Sequence, residues 1–492
     1  MPDALNHGKL VLGTILGHRS REALDYALRR LEPGHFTDNV QRNLWQLTER
    51  YLDEAGHVMP RQALEDALRG SPPGTVVMYL EYFDSVVLSK LPSTPAGLSE
   101  FQWSVKQLRE LAAERLTGEA LAEAMEILRT GKRYGPKELQ GHSDARSWLV
   151  SQLSAIDRRL RQADAPEGDV RHEGADVLKV YGARKGQQAA GNTSLVSTGV
   201  GELDKLLGGG LERGELVLTV GWTSSGKTSF VVNLAWYAAA VLGKNVVFFT
   251  SETLRPQVRI KLLARHSRLE KFGLKTGLNS RDIKAGTLTP AGERKLQEVA
   301  ADYAQTPGKL YLAQSPRGST VSTVEASLSR ITRDWPADLV IYDYAGLLKP
   351  ETSRKSKWEE LSGIIMDLKE VAATYRGGLG VPLVTPWQVS REAFTAAKQR
   401  GYYMLNDLAS TQDAPNTADV VLSLMAPEDF AGGRDVTLEA SLLKNRDGEA
   451  KFGQGNFVKI RADYATSYFT ADGGANVVDL MNYQAGPGAA FG

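Results

Sequence analysis

Eight consecutive residues, Gly221-Trp222-Thr223-Ser224-Ser225-Gly226-Lys227-Thr228, have the spacing G-x-x-x-x-G-K-[ST]. An apolar run, Leu216 to Val220, precedes them, and a helix-like run, Ser229 to Leu242, follows. Strand, glycine-rich loop and helix in that order form a phosphate cradle. Backbone N–H groups and the helix N-terminus face the anion, Lys227 reaches the β- and γ-phosphates, and Thr228 ligates Mg²⁺. Residues Gly221 to Ser229 are therefore expected to bind ATP and Mg²⁺, and the chain is expected to hydrolyse a nucleoside triphosphate.

Five further side chains fit around that loop. Glu252 ends the run VVFFTSE, and parallel sheets place their sites at the carboxyl ends of strands. There it can orient the attacking water, or it is an ordinary surface glutamate. Asp343 closes LVIYD, four apolar residues and an acid, the form expected of the group that holds Mg²⁺ with Thr228. Gln388 follows VPLVTP, where an amide can sense the γ-phosphate, or it is a plain loop residue. Lys444 and Arg446, in LLKNRDGE, stand i, i+2 and share a side if the segment is a strand. They can act on a neighbouring subunit's γ-phosphate as an arginine finger does, or form a solvated basic turn.

Two polar, loop-like stretches carry positive charge beside these positions. Arg354, Lys355 and Lys357 follow the Asp343 run, and Arg391, Lys398 and Arg400 follow Gln388. Single-stranded or forked DNA can be held there through its phosphates. A charge run is also often only a solvated face.

The elements that position these groups begin at Thr198. Apolar runs at Leu216–Val220, Val246–Thr250, Leu310–Gln314, Leu339–Asp343, Pro382–Thr385 and Val420–Leu424 alternate with helical patterns such as Val258 to Leu269 and Trp358 to Tyr375. That alternation predicts an α/β domain over 198–472, a mainly parallel sheet with helices on both faces. Strand-rich sequence after Arg434 predicts a closing hairpin at the sheet edge. Helical periodicity from Asn6 to Gly70 predicts an all-α domain over 1–98, and the Leu/Ala/Glu-rich block from Glu100 with Trp148 to Leu160 predicts a helical extension over 99–165. Residues 166–197 read as a linker with one short helix, Ala175 to Lys185, either spacer or a docking element. The Gly/Ala-rich tail, 473–492, reads as mobile.

Composition limits the alternatives. A chain of 492 residues, 42% hydrophobic and 24% charged, is globular and long enough for two or three domains. A formal net charge of +1 excludes a globally basic nucleic-acid binder. No cysteine is present, which removes thiol catalysis, disulfides and a cysteine-ligated zinc module. Without a signal-peptide pattern or a bilayer-length apolar run, the expected location is the cytoplasm, with no membrane partner.

The segments STGVGELDKLLGGGLERGELVLTVGWTSSGKT, FFTSETLRPQVRIKLLARHSRL, LVIYDYAGLL, WQVSRE, TQDAPNTADVVLSL and LLKNRDGE occur in this order. Together they resemble the ATPase domain of the DnaB-type hexameric replicative DNA helicases of the RecA-like superfamily. The helical region before Gly70 is similar to that family's N-terminal domain. The resemblance implies a homohexameric ring translocating on single-stranded DNA, with Lys227, Thr228, Glu252, Asp343 and Gln388 at the ATP site and Lys444 and Arg446 acting in trans. It also implies that the 175–185 helix docks on an adjacent subunit, with primase and a helicase loader as partners. Two departures stand out: Trp222 lies where the family has an Arg-Pro-containing loop, and Pro415 and Asn416 interrupt TQDAPNTADVV. They fit a divergent member, a bacteriophage-encoded one among the candidates, working then in the host cytoplasm. A RecA-like filament protein and a regulatory ATPase that does not touch DNA are the competing readings.

Overall fold

The computed structural model describes residues 2–135, 137–163, 174–189, 195–351, 356–411, 413–426, 435–446, 448, 450–453 and 455–472. They form two compact units, Met1–Glu167 and Gly168–Gly492. The tail 473–492 and much of the expected linker lie outside the described residues.

The first unit is helical: α1 (Pro2–His18), α2 (Arg21–Leu28), α3 (Asn39–Ala55), α4 (Arg61–Ala67), α5 (Pro73–Leu88), α6 (Pro95–Arg129) and α7 (Gly141–Ala163). Helix starts follow side-chain chemistry. Ser20, Asp38 and Thr94 each accept a hydrogen bond from a backbone N–H in the first turn, satisfying one of the unpaired donors there. The apolar stripes of α1, α3, α5 and α6 meet in one core containing Leu12, Trp45, Phe83 and Phe101. Helix α5 falls inside the expected all-α region, although the β-branched residues of VVMYLEYFDSVVL obscure its helical period. One element departs from expectation. A short antiparallel hairpin, β1 (Lys132–Tyr134) and β2 (Lys137–Leu139), joins α6 to α7 where only helix was expected.

The second unit opens with α8 (Gly174–Ala189), longer than the expected linker helix, and α9 (Gly201–Leu206). Then come β3 (Leu216–Gly221), α10 (Lys227–Ala240), β4 (Val246–Thr250), α11 (Arg255–His266), α12 (Ser280–Ala285), α13 (Pro290–Tyr303) and β5 (Leu310–Gln314). The rest is α14 (Val321–Ile331), β6 (Leu339–Asp343), α15 (Lys357–Gly378), β7 (Leu383–Gln388), α16 (Arg391–Arg400), α17 (Asp413–Thr417), β8 (Val420–Met425), β9 (Val436–Asn445), β10 (Val458–Asp463) and β11 (Tyr468–Ala471). The nine-stranded sheet runs β11-β10-β9-β8-β3-β7-β6-β4-β5. Strands β8 to β5 in that order are parallel, and β9, β10 and β11 extend the edge antiparallel. The α/β architecture and the closing hairpin are as the sequence predicts.

Both faces of the sheet are covered, which is why its central strands are apolar without a break. In β4, Val246 and Phe248 enter the core on the α10 face, and Val247 and Phe249 the core on the α15 face. This is the two-residue alternation of a strand. Trp236 of α10 is fully buried, with the Arg265 guanidinium 3.6 Å from its ring centroid and its Nε1 donating to His266 Nδ1 at 3.0 Å. Trp236→Ala is expected to destabilise the ATPase domain by about 3–5 kcal/mol, since it opens a large cavity. Urea unfolding would show this as an early transition, and a loss below about 1 kcal/mol would contradict a tightly packed site.

Candidate nucleotide site

The parallel order places β3 between β8 and β7, so the loop leaving its carboxyl end emerges beside the ends of β6, β7 and β4. Two glycines allow the loop its path. A Cβ on Gly221 would lie 2.4 Å from Ser225 Oγ. Gly226 has φ +89° and leaves room for Tyr464, whose Cε1 would be 2.1 Å from an added Cβ. Helix α10 begins at Lys227, and the unpaired N–H groups of its first turn suit an anion.

A cleft of about 670 Å³ lies over this helix start, within the range of small-ligand sites. Of the expected residues, Thr223, Ser224, Gly226, Lys227, Thr228, Ser229, Glu252, Asp343 and Gln388 line it. Lys227 Nζ donates to the carbonyls of Gly221 (2.8 Å) and Trp222 (2.6 Å). Burial pulls its ammonium down to about 8, opposed by the nearby carboxylates of Asp343 and Glu252. Thr228 Oγ1 donates to Asp343 Oδ1 at 3.3 Å. Burial pushes the Asp343 carboxyl up to about 6, and its Oδ2 is buried without a hydrogen-bond partner. A hydroxyl beside a carboxylate with a spare oxygen fits Mg²⁺, a hard cation that takes few protein ligands and keeps its waters. Glu252 is exposed just past β4, and Gln388 ends β7 in register with Gly221.

Three loop residues have other roles. Gly221 offers its carbonyl to Lys227, Ser225 is buried and its carbonyl accepts from the Tyr464 hydroxyl at 3.1 Å, and Trp222 stacks on Phe394. Lys261 and Tyr464 are among the cleft residues that escaped the sequence reading. Lys261, on α11, donates to Ser229 Oγ at 3.2 Å, and burial lowers its pKa. Its signal was present: it shares a helical face with Gln257, which also lines the cleft. Tyr464, in the turn between β10 and β11, had no local signal.

Lys444 and Arg446 do not line their own chain's cleft. Lys444 donates to the carbonyls of Pro415 (3.0 Å) and Asn416 (2.7 Å). Arg446 pairs with Asp419 at 2.9 Å. That buried carboxylate also binds Lys369 (2.6 Å) and accepts from the Leu216 N–H (2.8 Å).

The basic stretches are less loop-like than expected. Arg354 and Lys355 lie outside the described residues, and Lys357 is exposed at the first position of α15. Arg391, Lys398 and Arg400 lie on a helix, α16, because Ser390 caps it by accepting from Ala393 N–H. Arg391 and Lys398 are exposed, whereas Arg400 is half-buried and paired with Asp407.

A family model, the DnaB-like helicase C terminal domain, matches residues 196–465. The replicative DNA helicase DnaB of Geobacillus stearothermophilus is 24% identical over 273 residues, 55% of this chain and 56% of that protein. In that alignment the chain spans about half the relative's length. DnaB of Rickettsia felis is 21% identical over 441 residues, 87% of this chain and 82% of its own. A solved DnaB-like replicative helicase, described with its primase interactions, superposes with TM-score 0.60 at 20% identity, covering 94% of this chain and 98% of that one. A second solved structure, described as an ATPase domain, gives 0.50 at 21%, covering 62% of this chain and 99% of that one. At these identities the superpositions bear on the fold alone. Among the described residues no helix is long and apolar enough to cross a membrane. With the family model covering more than half of its length, the chain belongs to the DnaB-like helicase family.

Proposed function

We propose that this chain is an ATP-dependent DNA helicase that forms a homohexameric ring, translocates on single-stranded DNA and unwinds a fork. The observation that carries this reading is the convergence of Lys227, Thr228, Glu252, Asp343 and Gln388 on one cleft, while Lys444 and Arg446 stand outside it.

Each residue has a part in phosphoryl transfer to water. Lys227 moves from the Gly221 and Trp222 carbonyls to the γ-phosphate, exchanging dipoles for a full negative charge. Thr228 and Asp343 hold Mg²⁺, which when bound neutralises charge on the β- and γ-phosphates. Glu252 orients the attacking water, and Gln388 reports the γ-phosphate to the segment after β7. Lys444 and Arg446 complete the site of an adjacent copy, placing positive charge on the transition state. Lys357, Arg391 and Lys398, with Arg354, Lys355 and Arg400, are assigned to the DNA phosphates, and primase and a loader to the remaining partners.

Unwinding of a forked duplex is expected with ATP and Mg²⁺, on a 5′-tailed or a 3′-tailed substrate but not equally on both. ATP turnover is expected to rise when single-stranded DNA is added. Flat turnover would instead support a regulatory ATPase. Helical filaments, in place of closed rings, in negative-stain images with a non-hydrolysable analogue would support a strand-exchange protein.

A further inference from the structure

Trp222 sits inside the phosphate loop, yet an indole has no charge to offer a phosphate. Its ring turns away from the cleft and stacks on Phe394 of α16, the centroids 4.7 Å apart and the planes 11° from parallel. A near-parallel aromatic pair is directional, so moving one ring draws on the other. Arg391 lies three residues before Phe394 and Lys398 four residues after it, so both charges flank the stacked face of the helix.

The second hold is on the nucleotide side. The Trp222 carbonyl accepts from Lys227 Nζ at 2.6 Å. The β- and γ-phosphates compete for that ammonium, so a triphosphate removes the hydrogen bond from the Trp222 peptide. One residue is therefore held at its carbonyl by the group that ATP recruits, and at its ring by the basic helix itself.

We propose that the Trp222–Phe394 stack couples occupancy of the phosphate loop to the position of α16, and so sets single-stranded DNA affinity through Arg391 and Lys398. This inference rests on the reading of the chain as a DNA motor. Phe394 touches no part of the cleft, so its replacement tests the coupling without altering the ATP-binding residues.

The test is a titration of labelled oligothymidylate with full-length protein and Mg²⁺, with and without a non-hydrolysable ATP analogue. Wild type is expected to change its DNA affinity about fivefold or more between the two conditions. Phe394→Ala and the volume-filling Phe394→Leu are expected to change less than about twofold, and Phe394→Trp, which keeps an aromatic face, to restore the response. Unaltered analogue affinity in each variant shows that the site is folded. A full wild-type response in Phe394→Leu overturns the coupling. So does its loss in Phe394→Trp, which would assign the effect to shape rather than stacking, and so does wild-type DNA binding indifferent to nucleotide. Wild type that binds no DNA at all overturns the motor reading, and this coupling with it.

Discussion

Lys227→Ala is expected to lower ATP turnover by at least about 100-fold, the cost of losing a preorganised charge from a phosphoryl-transfer site. This ammonium is buried, held by two carbonyl dipoles, and depressed to about 8 by desolvation. A triphosphate offers what the carbonyls lack, full negative charge, so the interaction is strongest where charge builds in the transition state. The substitution leaves only two loop carbonyls without a donor, and the α10 core behind it is intact. A steady-state ATPase assay is the check, and near-wild-type turnover would overturn the assignment of the loop.

Arg446→Ala is expected to lower turnover about 1,000-fold while leaving analogue binding within a few-fold of wild type, as when an arginine finger is removed. The surroundings of Arg446 make this a clean experiment. It is half-exposed, and its partner Asp419 keeps Lys369 at 2.6 Å and the Leu216 N–H at 2.8 Å. The buried carboxylate therefore stays compensated, avoiding the penalty of a lone buried charge. Mixing Arg446→Ala with Lys227→Ala subunits is expected to restore part of the turnover. At hybrid interfaces an intact loop would meet an intact finger. No recovery at any mixing ratio would contradict action in trans.

The parts of the cleft that could be read from the sequence share one property: they lie at or just past the carboxyl ends of parallel strands. Strands β4, β5 and β6 have the bounds of their apolar runs. Asp343 and Gln388 end β6 and β7, and Glu252 follows β4. Continuous apolar runs are legible because both sheet faces are covered. Contacts that depend on distant chain were not legible. Lys261 needed the crossing of α11 over α10, and Tyr464 needed a turn more than 230 residues from the loop it touches. Helix α16 was hidden by composition, since its charged residues read as loop until Ser390 is recognised as a cap. The bounds of helix α5, inside the expected all-α region, were hidden by β-branched residues that fit strand as well as helix.

The Tyr464 ring bears on where this enzyme can be cut. It rests on Gly226 and donates to the Ser225 carbonyl, and it is carried by the turn before β11, whose Phe469 packs edge-on against Phe230 of α10. The sequence signature ends near the basic pair at Lys444 and Arg446, and the family match at residue 465. A fragment trimmed at either place would keep every recognisable motif. It would nonetheless lose β11, and with it the strand paired to β10 beside the Tyr464 ring. The strands that support the phosphate loop therefore extend through Ala471, past every motif, because of a tyrosine that no motif contains.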